Sequence, residues 1–97
     1  MRRYPRLDTN HRALADFARS VGCSVQSLAS IGKGCPDLLL GQRGVNYLVE
    51  VKDPSRPPSE RKLTPLEALW HPLWRGQVAV VETQEDLLRL LGLDKSG

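Results

Sequence analysis

The chain has 97 residues, 40% of them hydrophobic, and its 14 Lys and Arg against 11 Asp and Glu leave a formal net charge of +3. That is enough for one small domain with a single core, spanning residues 1–97, and it excludes a multi-domain enzyme. No apolar run approaches the ~18 residues needed to cross a bilayer, and Met1-Arg2-Arg3-Tyr4-Pro5 is followed by charged residues rather than a signal-peptide core, so the expectation is no membrane partner and a cytoplasmic protein.

Residues 1–36 carry six basic and two acidic side chains, residues 37–62 five and four, and residues 63–97 three and five. The amino-terminal third is therefore where a polyanion would land. Ten of the 14 cations are Arg, the residue suited to bidentate phosphate contacts. After this basic lead-in, Asp8 or Thr9 can cap a helix whose Leu14, Phe17, Ala18 and Val21 fall at i, i+3, i+4 and i+7, with Gly22 at its end. A short strand is expected within residues 23–29, through Val25 and Leu28, before Gly32-Lys33-Gly34-Cys35-Pro36 breaks the chain. Asp37-Leu38-Leu39-Leu40, a turn within Gly41 to Gly44, and the β-forming run from Val45 to Lys52 read as a β-hairpin.

Residues 53–62 hold three prolines and two serines and read as an exposed loop. Thr64-Pro65-Leu66-Glu67 then opens a helix with a capping box. Leu66, Leu69, Trp70, Leu73 and Trp74 form its apolar face, with both tryptophans expected in the core, Pro72 as a kink and Gly76 as the stop. Gln77 to Val81 reads as a buried strand, and Thr83 caps a last helix carrying Leu87, Leu88, Leu90 and Leu91, stopped by Gly92. The order is αβββαβα, an α/β domain with a small mixed sheet flanked by helices. Cys23 and Cys35 have no zinc-ligand spacing and read as reduced thiols. His11 and His71 stand alone, as solvated or hydrogen-bonded side chains.

Asp37 opens one hairpin strand and Glu50-Val51-Lys52 closes its partner. Strand side chains alternate, so Glu50 and Lys52 share a face while Val51 points into the core and offers its carbonyl at the strand edge. Asp37 joins them in certain registers only. A two-residue loop sets it opposite Glu50, a four-residue loop opposite Leu48, and a three-residue loop turns it to the other face. Two carboxylates ~4 Å apart repel by about 4 kcal/mol at the effective dielectric near a protein surface. A hard divalent cation held by Asp37, Glu50 and the Val51 carbonyl would relieve that repulsion and activate water against a phosphodiester, with Lys52 steadying charge in the transition state. A surface salt-bridge ladder centred on Lys52 is the plainer account of the same residues. Glu67 is explained by the capping box, Asp53 as a loop cap, and Lys33 as either a DNA contact or a solvated turn.

Pro36-Asp37 followed by Glu50-Val51-Lys52, within this element order, resembles the PD-(D/E)XK nuclease superfamily. The run from Gly32 to Leu40, the Leu63-Thr64-Pro65 helix start and the run from Trp74 to Val81 resemble its VRR-NUC branch, including the compact phage and bacterial members. The resemblance spans roughly residues 8–92. It implies a restriction-endonuclease-like fold and Mg²⁺- or Mn²⁺-dependent DNA cleavage, with Asp37 and Glu50 as metal ligands and Lys52 as the catalytic lysine. It also implies a homodimer acting on branched DNA such as four-way junctions. At two positions the chain departs from the branch. The usual Glu on the inner face of the first helix is Ala13 by an ungapped placement, with Asn10 or Asp16 as stand-ins, and a frequent Gln early in the helix after the loop is Glu67.

The leading expectation is thus a structure-selective DNA endonuclease, with Lys33, Arg61, Lys62, Arg2 and Arg3 as DNA contacts. The alternatives are a catalytically inactive nucleic-acid-binding module of the same fold and a small protein-interaction domain. For a homodimer, the first helix and residues 23–29 are the expected interface, on the premise that residues 63–91 are needed to close the core.

Overall fold

The structure, a computed structural model, describes residues 9–94. Helix α1 (Thr9–Ser20) is followed by strands β1 (Ser24–Ser27), β2 (Leu38–Gln42) and β3 (Val45–Val51), helix α2 (Pro65–Leu73), strand β4 (Ala79–Val81) and helix α3 (Gln84–Leu91). A single 3₁₀ turn, Pro58–Glu60, interrupts the loop before α2. The order is the αβββαβα expected, and the four strands form one mixed sheet in the order β1-β2-β3-β4. The first two pairings are antiparallel and β3-β4 is parallel.

The β2-β3 turn settles the hairpin register. Arg43 (φ 51°) and Gly44 (φ 79°) make a two-residue loop, the left-handed pair whose twist matches the flanking strands. Leu38 therefore faces Val49 across the ladder, which sets Asp37 beside Glu50. The Arg43 guanidinium donates to the Leu91 carbonyl at 3.1 Å and the Gln42 amide to the Val21 carbonyl at 2.8 Å. The hairpin tip thus satisfies carbonyls at the carboxyl ends of two helices, groups that have no partner within their own helix.

Alternation along the strands separates two unlike faces. Leu38, Leu40, Val49, Val51 and Val81 point to one side, where they form the core with Leu14, Ala15 and Ala18 of α1 and Leu87 and Leu91 of α3. The α1 end is a Gly22 turn at φ 99°, with Cys23 donating back to the Ala18 carbonyl at 2.9 Å. Helix α3 begins with the Thr83/Asp86 capping box and ends at left-handed Gly92. The Asn10 side chain clamps this layer to the sheet, donating to the Lys52 carbonyl at 2.6 Å and the Glu82 carbonyl at 3.0 Å.

Helix α2 lies on the opposite face and departs from expectation. Its Thr64/Glu67 capping box is present, but none of its residues is buried. Leu66, Leu69, Leu73 and Trp74 are 56, 66, 78 and 45% exposed, so the predicted apolar face is turned to solvent and the tryptophans are not core residues. Trp70 instead stacks on Trp74, with ring centroids 4.8 Å apart. The physical reason lies in the sheet. This face carries Glu50 and Lys52, and α2 meets it with Glu67 and His71. The helix ends at Leu73, short of Gly76, where Trp74 turns to an extended conformation (ψ 125°); Pro72 lies inside its last turn and supplies no N–H to the Ala68 carbonyl.

Strand β4 is also shorter than the Gln77–Val81 run expected, and Val80 is 44% exposed. The Gln77 side chain replaces main-chain pairing there. Its amide accepts from Leu48 N at 2.7 Å and donates to Leu48 O at 3.0 Å.

Gly34 holds α2 in place from the other side. At φ 86°, any Cβ on it would fall on the Leu66 carbonyl oxygen and press on the Trp70 Cβ. Gly34→Ala is expected to cost about 1–3 kcal/mol, from left-handed strain together with the clash. Gly32→Ala, also left-handed but with open space around it, is expected to show the strain alone. Urea unfolding of both variants tests this, and equal losses would mean that α2 does not press on Gly34.

Candidate active site

The site is assembled where the end of β3 meets the start of β2 and the inward face of α2. The ladder ends at Leu38 and Val49, and beyond it the Asp37 carboxylate replaces a main-chain acceptor, taking the Val51 N–H at Oδ2 over 2.8 Å. This anchors Asp37 at the position that the two-residue loop implies. Pro36 before it is fully buried, and Asp37 itself is half-buried.

Glu50 is the most enclosed charged side chain of the core, 2% exposed. Its Oε2 lies 3.6 Å from Lys52 Nζ and its Oε1 lies 3.9 Å from His71 Nε2. Both are too long for hydrogen bonds, and Glu50 Oε1 and His71 Nε2 are buried with no hydrogen-bond partner. Lys52 is committed to Glu67 instead, at 2.8 Å. Glu67 Oε1 also accepts from Thr64 N at 2.8 Å, so one carboxylate closes the capping box and holds the lysine.

The electrostatics follow from three carboxylates sharing one ammonium. Burial, then the charge on Asp37, then Glu67 push the Glu50 carboxyl up to about 9. Burial pulls Lys52 down, but the Glu67 hydrogen bond and charge overcome it and the ammonium ends above its ordinary value. For Glu67 burial acts upward and is outweighed by Lys52 and the Thr64 amide, leaving it below the usual carboxylate range. Cys35 is a free thiol that burial, Glu50 and Asp37 all push up, which keeps it protonated and places it beside the acids.

A divalent cation suits this chemistry. The donors are hard oxygens, and one of them is an orphaned, buried carboxylate oxygen, an arrangement that costs free energy unless a positive charge meets it. Among the described residues no three His, Cys, Asp or Glu side chains are already gathered as a ligand set. A cation held by Asp37, Glu50 and the Val51 carbonyl would need the rest of its shell from solvent or substrate.

The other candidates fall outside this cluster. Asn10 spends its amide on the Lys52 and Glu82 carbonyls, acting as a strut behind the lysine. Ala13 is exposed rather than on the inner face of α1, and Asp16 is exposed and paired with Arg19. Lys33 is exposed at the left-handed turn before Pro36 (φ 54°). Arg61 is half-buried with Nη1 3.8 Å from Glu82, Lys62 is exposed, and Arg2 and Arg3 lie outside the described residues. Asp53 is the expected loop cap, accepting from Ser55 N and Oγ.

His71 is the residue that sequence reasoning passed over, and Glu67 was explained too narrowly. The signal was their spacing. Residues at i and i+4 share a helix face, and this pair lies on the polar side of the leucine stripe. Neither histidine is solvated. His11 is buried in α1 and the His71 side chain is 11% exposed.

Comparisons of the chain with protein-family models, with curated proteins and with solved structures returned no match.

Glu50 makes metal-free stability dependent on pH. The folded state holds its proton up to about 9, whereas an ordinary Glu titrates near 4.5, so stability should fall as pH rises between these values. Glu50→Gln is expected to flatten that slope and to raise Tm at pH 8. Thermal melts in EDTA at pH 5 and pH 8 measure it, and a variant no more stable than the parent at pH 8 would contradict the burial argument.

Proposed function

We propose that this chain is a metal-dependent DNA endonuclease of the PD-(D/E)XK kind, similar to the VRR-NUC branch, that hydrolyses phosphodiester bonds in branched DNA such as four-way junctions or flaps. The observation that carries the reading is Glu50, a buried carboxylate with an unpartnered oxygen, set beside Asp37 and on the same face as Lys52. A salt-bridge ladder needs no such buried acid, and a protein that only binds a polyanion gains nothing from clustered carboxylates facing it.

When bound, Mg²⁺ or Mn²⁺ would lower the pKa of water and offset charge on phosphorus. Asp37 and Glu50 would hold the cation, and the Val51 carbonyl would add a neutral oxygen. Asp37 stays oriented by the Val51 N–H. Lys52, held charged by Glu67, is a poor base and a good electrostatic partner, so its role is to stabilise negative charge developing on the phosphate. Lys33, Lys62 and Arg61, with Arg2 and Arg3, supply sequence-independent phosphate contacts.

A two-fold-symmetric junction needs two symmetry-related cuts, and a homodimer supplies them. The exposed Leu66, Leu69, Leu73 and Trp74 are the patch best suited to a second copy, in place of α1, whose outward residues include Arg12, Asp16 and Arg19. The premise that residues 63–91 close the core fails for α2.

Labelled duplex, flap and four-way-junction DNA incubated with Mg²⁺, Mn²⁺, Ca²⁺ or EDTA test the activity. Cutting is expected with Mg²⁺ or Mn²⁺. Asp37→Asn and Glu50→Gln should abolish it with DNA affinity kept or raised, and Lys52→Ala should slow turnover by about 100- to 1000-fold. DNA binding without cutting under any cation would instead favour an inactive binding module, the alternative encouraged by the lack of a carboxylate from α1 in the cluster.

Affinity should also fall log-linearly with salt, at roughly −0.9 per phosphate neutralised, and Lys33→Ala or Lys62→Ala should each flatten the slope by about one unit at most. A salt-independent complex would count against phosphate contacts.

A further inference from the structure

The pair Glu50 and His71 is the feature that neither the hairpin motif nor the capping box explains. His71 Nε2 and Glu50 Oε1 are both buried, both unpartnered, and face one another across 3.9 Å. At that separation they do not hydrogen-bond. It is also short enough to be spanned by one metal–imidazole and one metal–carboxylate bond, about 4.2 Å together; Asp37, Glu50 and His71 are not gathered as a ligand set as they stand, so closing a shell around one cation asks for a small shift of α2 against the hairpin. The approach of the histidine is built in. His71 follows Glu67 by one helical turn, and Glu67 is fixed by Lys52 and Thr64, so the same face of α2 delivers the imidazole to the acid. The ring also lies edge-on to Trp70, with centroids 5.7 Å apart and planes at 72°.

We infer that His71 is a direct nitrogen ligand of the divalent cation at this site, alongside Glu50, and that it biases the site away from Mg²⁺ towards transition-metal cations, of which Mn²⁺ is the weakest imidazole binder but still accepts one. The inference rests on the metal-dependent reading above and adds a residue from α2 to a ligand set otherwise drawn from the hairpin. Mg²⁺ prefers oxygen donors and retains its waters, whereas imidazole raises affinity along the transition-metal series. The hairpin donors alone would serve either ion. A nitrogen from α2 separates them, and it couples cation binding to the position of that helix.

The test uses the full chain with Mn²⁺ alone, without DNA. Electron paramagnetic resonance of the free ion gives the affinity, and electron spin-echo modulation of the bound ion detects a ligating ¹⁴N. The wild type is expected to show nitrogen modulation. His71→Gln should abolish it and weaken Mn²⁺ by roughly tenfold or more, with Mg²⁺ affinity, from competition, much less affected. His71→Leu serves as the second variant, and its thermal melt in EDTA shows whether α2 stays docked. Mn²⁺ bound in a Glu50-dependent way with no nitrogen modulation, or with modulation that persists in His71→Gln, would overturn the role of His71 and leave the nuclease reading intact. No Mn²⁺ binding by the wild type, alone or with DNA, would overturn both.

Discussion

A carboxylate shut away from water at the end of a strand sets the terms for one whole side of this protein. Glu50 is 2% exposed, yet it occupies a position in β3 where alternation forbids it from joining the apolar core formed by Val49 and Val51. Whatever covers it must be polar, and it must not leave the charge uncompensated. Lys52, two residues on, is the nearest remedy, but Glu67 takes most of that ammonium. What remains is an acid whose proton is held to about 9, with an oxygen facing an imidazole. Such a group destabilises the fold as pH rises, and functional sites commonly carry such a burden.

The two faces of the sheet divide the work accordingly. On one, α1 and α3 bury leucines and alanines against the strands, and the Asn10 clamp and the hairpin-tip bonds close the layer with ordinary polar contacts. On the other, α2 is attached by the Lys52–Glu67 ion pair, the approach of His71 to Glu50 and the close approach of Gly34. Local opening free energies track buried apolar contacts, so α2 belongs to the least strongly held part of the fold. The acids are thus carried by the firmly built hairpin and their polar cover by a more weakly held helix.

Much of the architecture was legible because it depends on local rules. The capping residues Thr64 and Thr83, the glycines at 22 and 92 and a turn within Gly41 to Gly44 each act within a few residues, and all are found in those roles. Glu50 and Lys52 were legible as a pair because period-two alternation placed them on one face, whereas Asp37 could be added only once the two-residue turn was seen, since a three-residue turn would have sent it to the other face. The fate of α2 was not legible. A stripe of Leu66, Leu69 and Leu73 reads as a buried face unless the surface opposite is known to be charged, and that is a property of the assembled sheet. His71 was missed for the same reason, since its relation to Glu50 exists only after a crossover of some twenty residues. Gln77 shows the limit most simply. It reads as the first residue of a strand, and in the fold its side chain does the pairing.

That side-chain pairing has an outcome for how the protein behaves in a crowded solution. A strand margin with unsatisfied amides and carbonyls invites strands from other molecules to add to it, and this is the usual origin of sheet-mediated aggregation. The main-chain ladder between β3 and β4 runs only from Val49 to Val51, which would leave the preceding half of β3 available to such an intruder. By occupying both polar groups of Leu48 at once, Gln77 acts as a plug, and an incoming chain would have to displace two hydrogen bonds before gaining any. That stretch of β3 is thereby kept for its own domain by one amide.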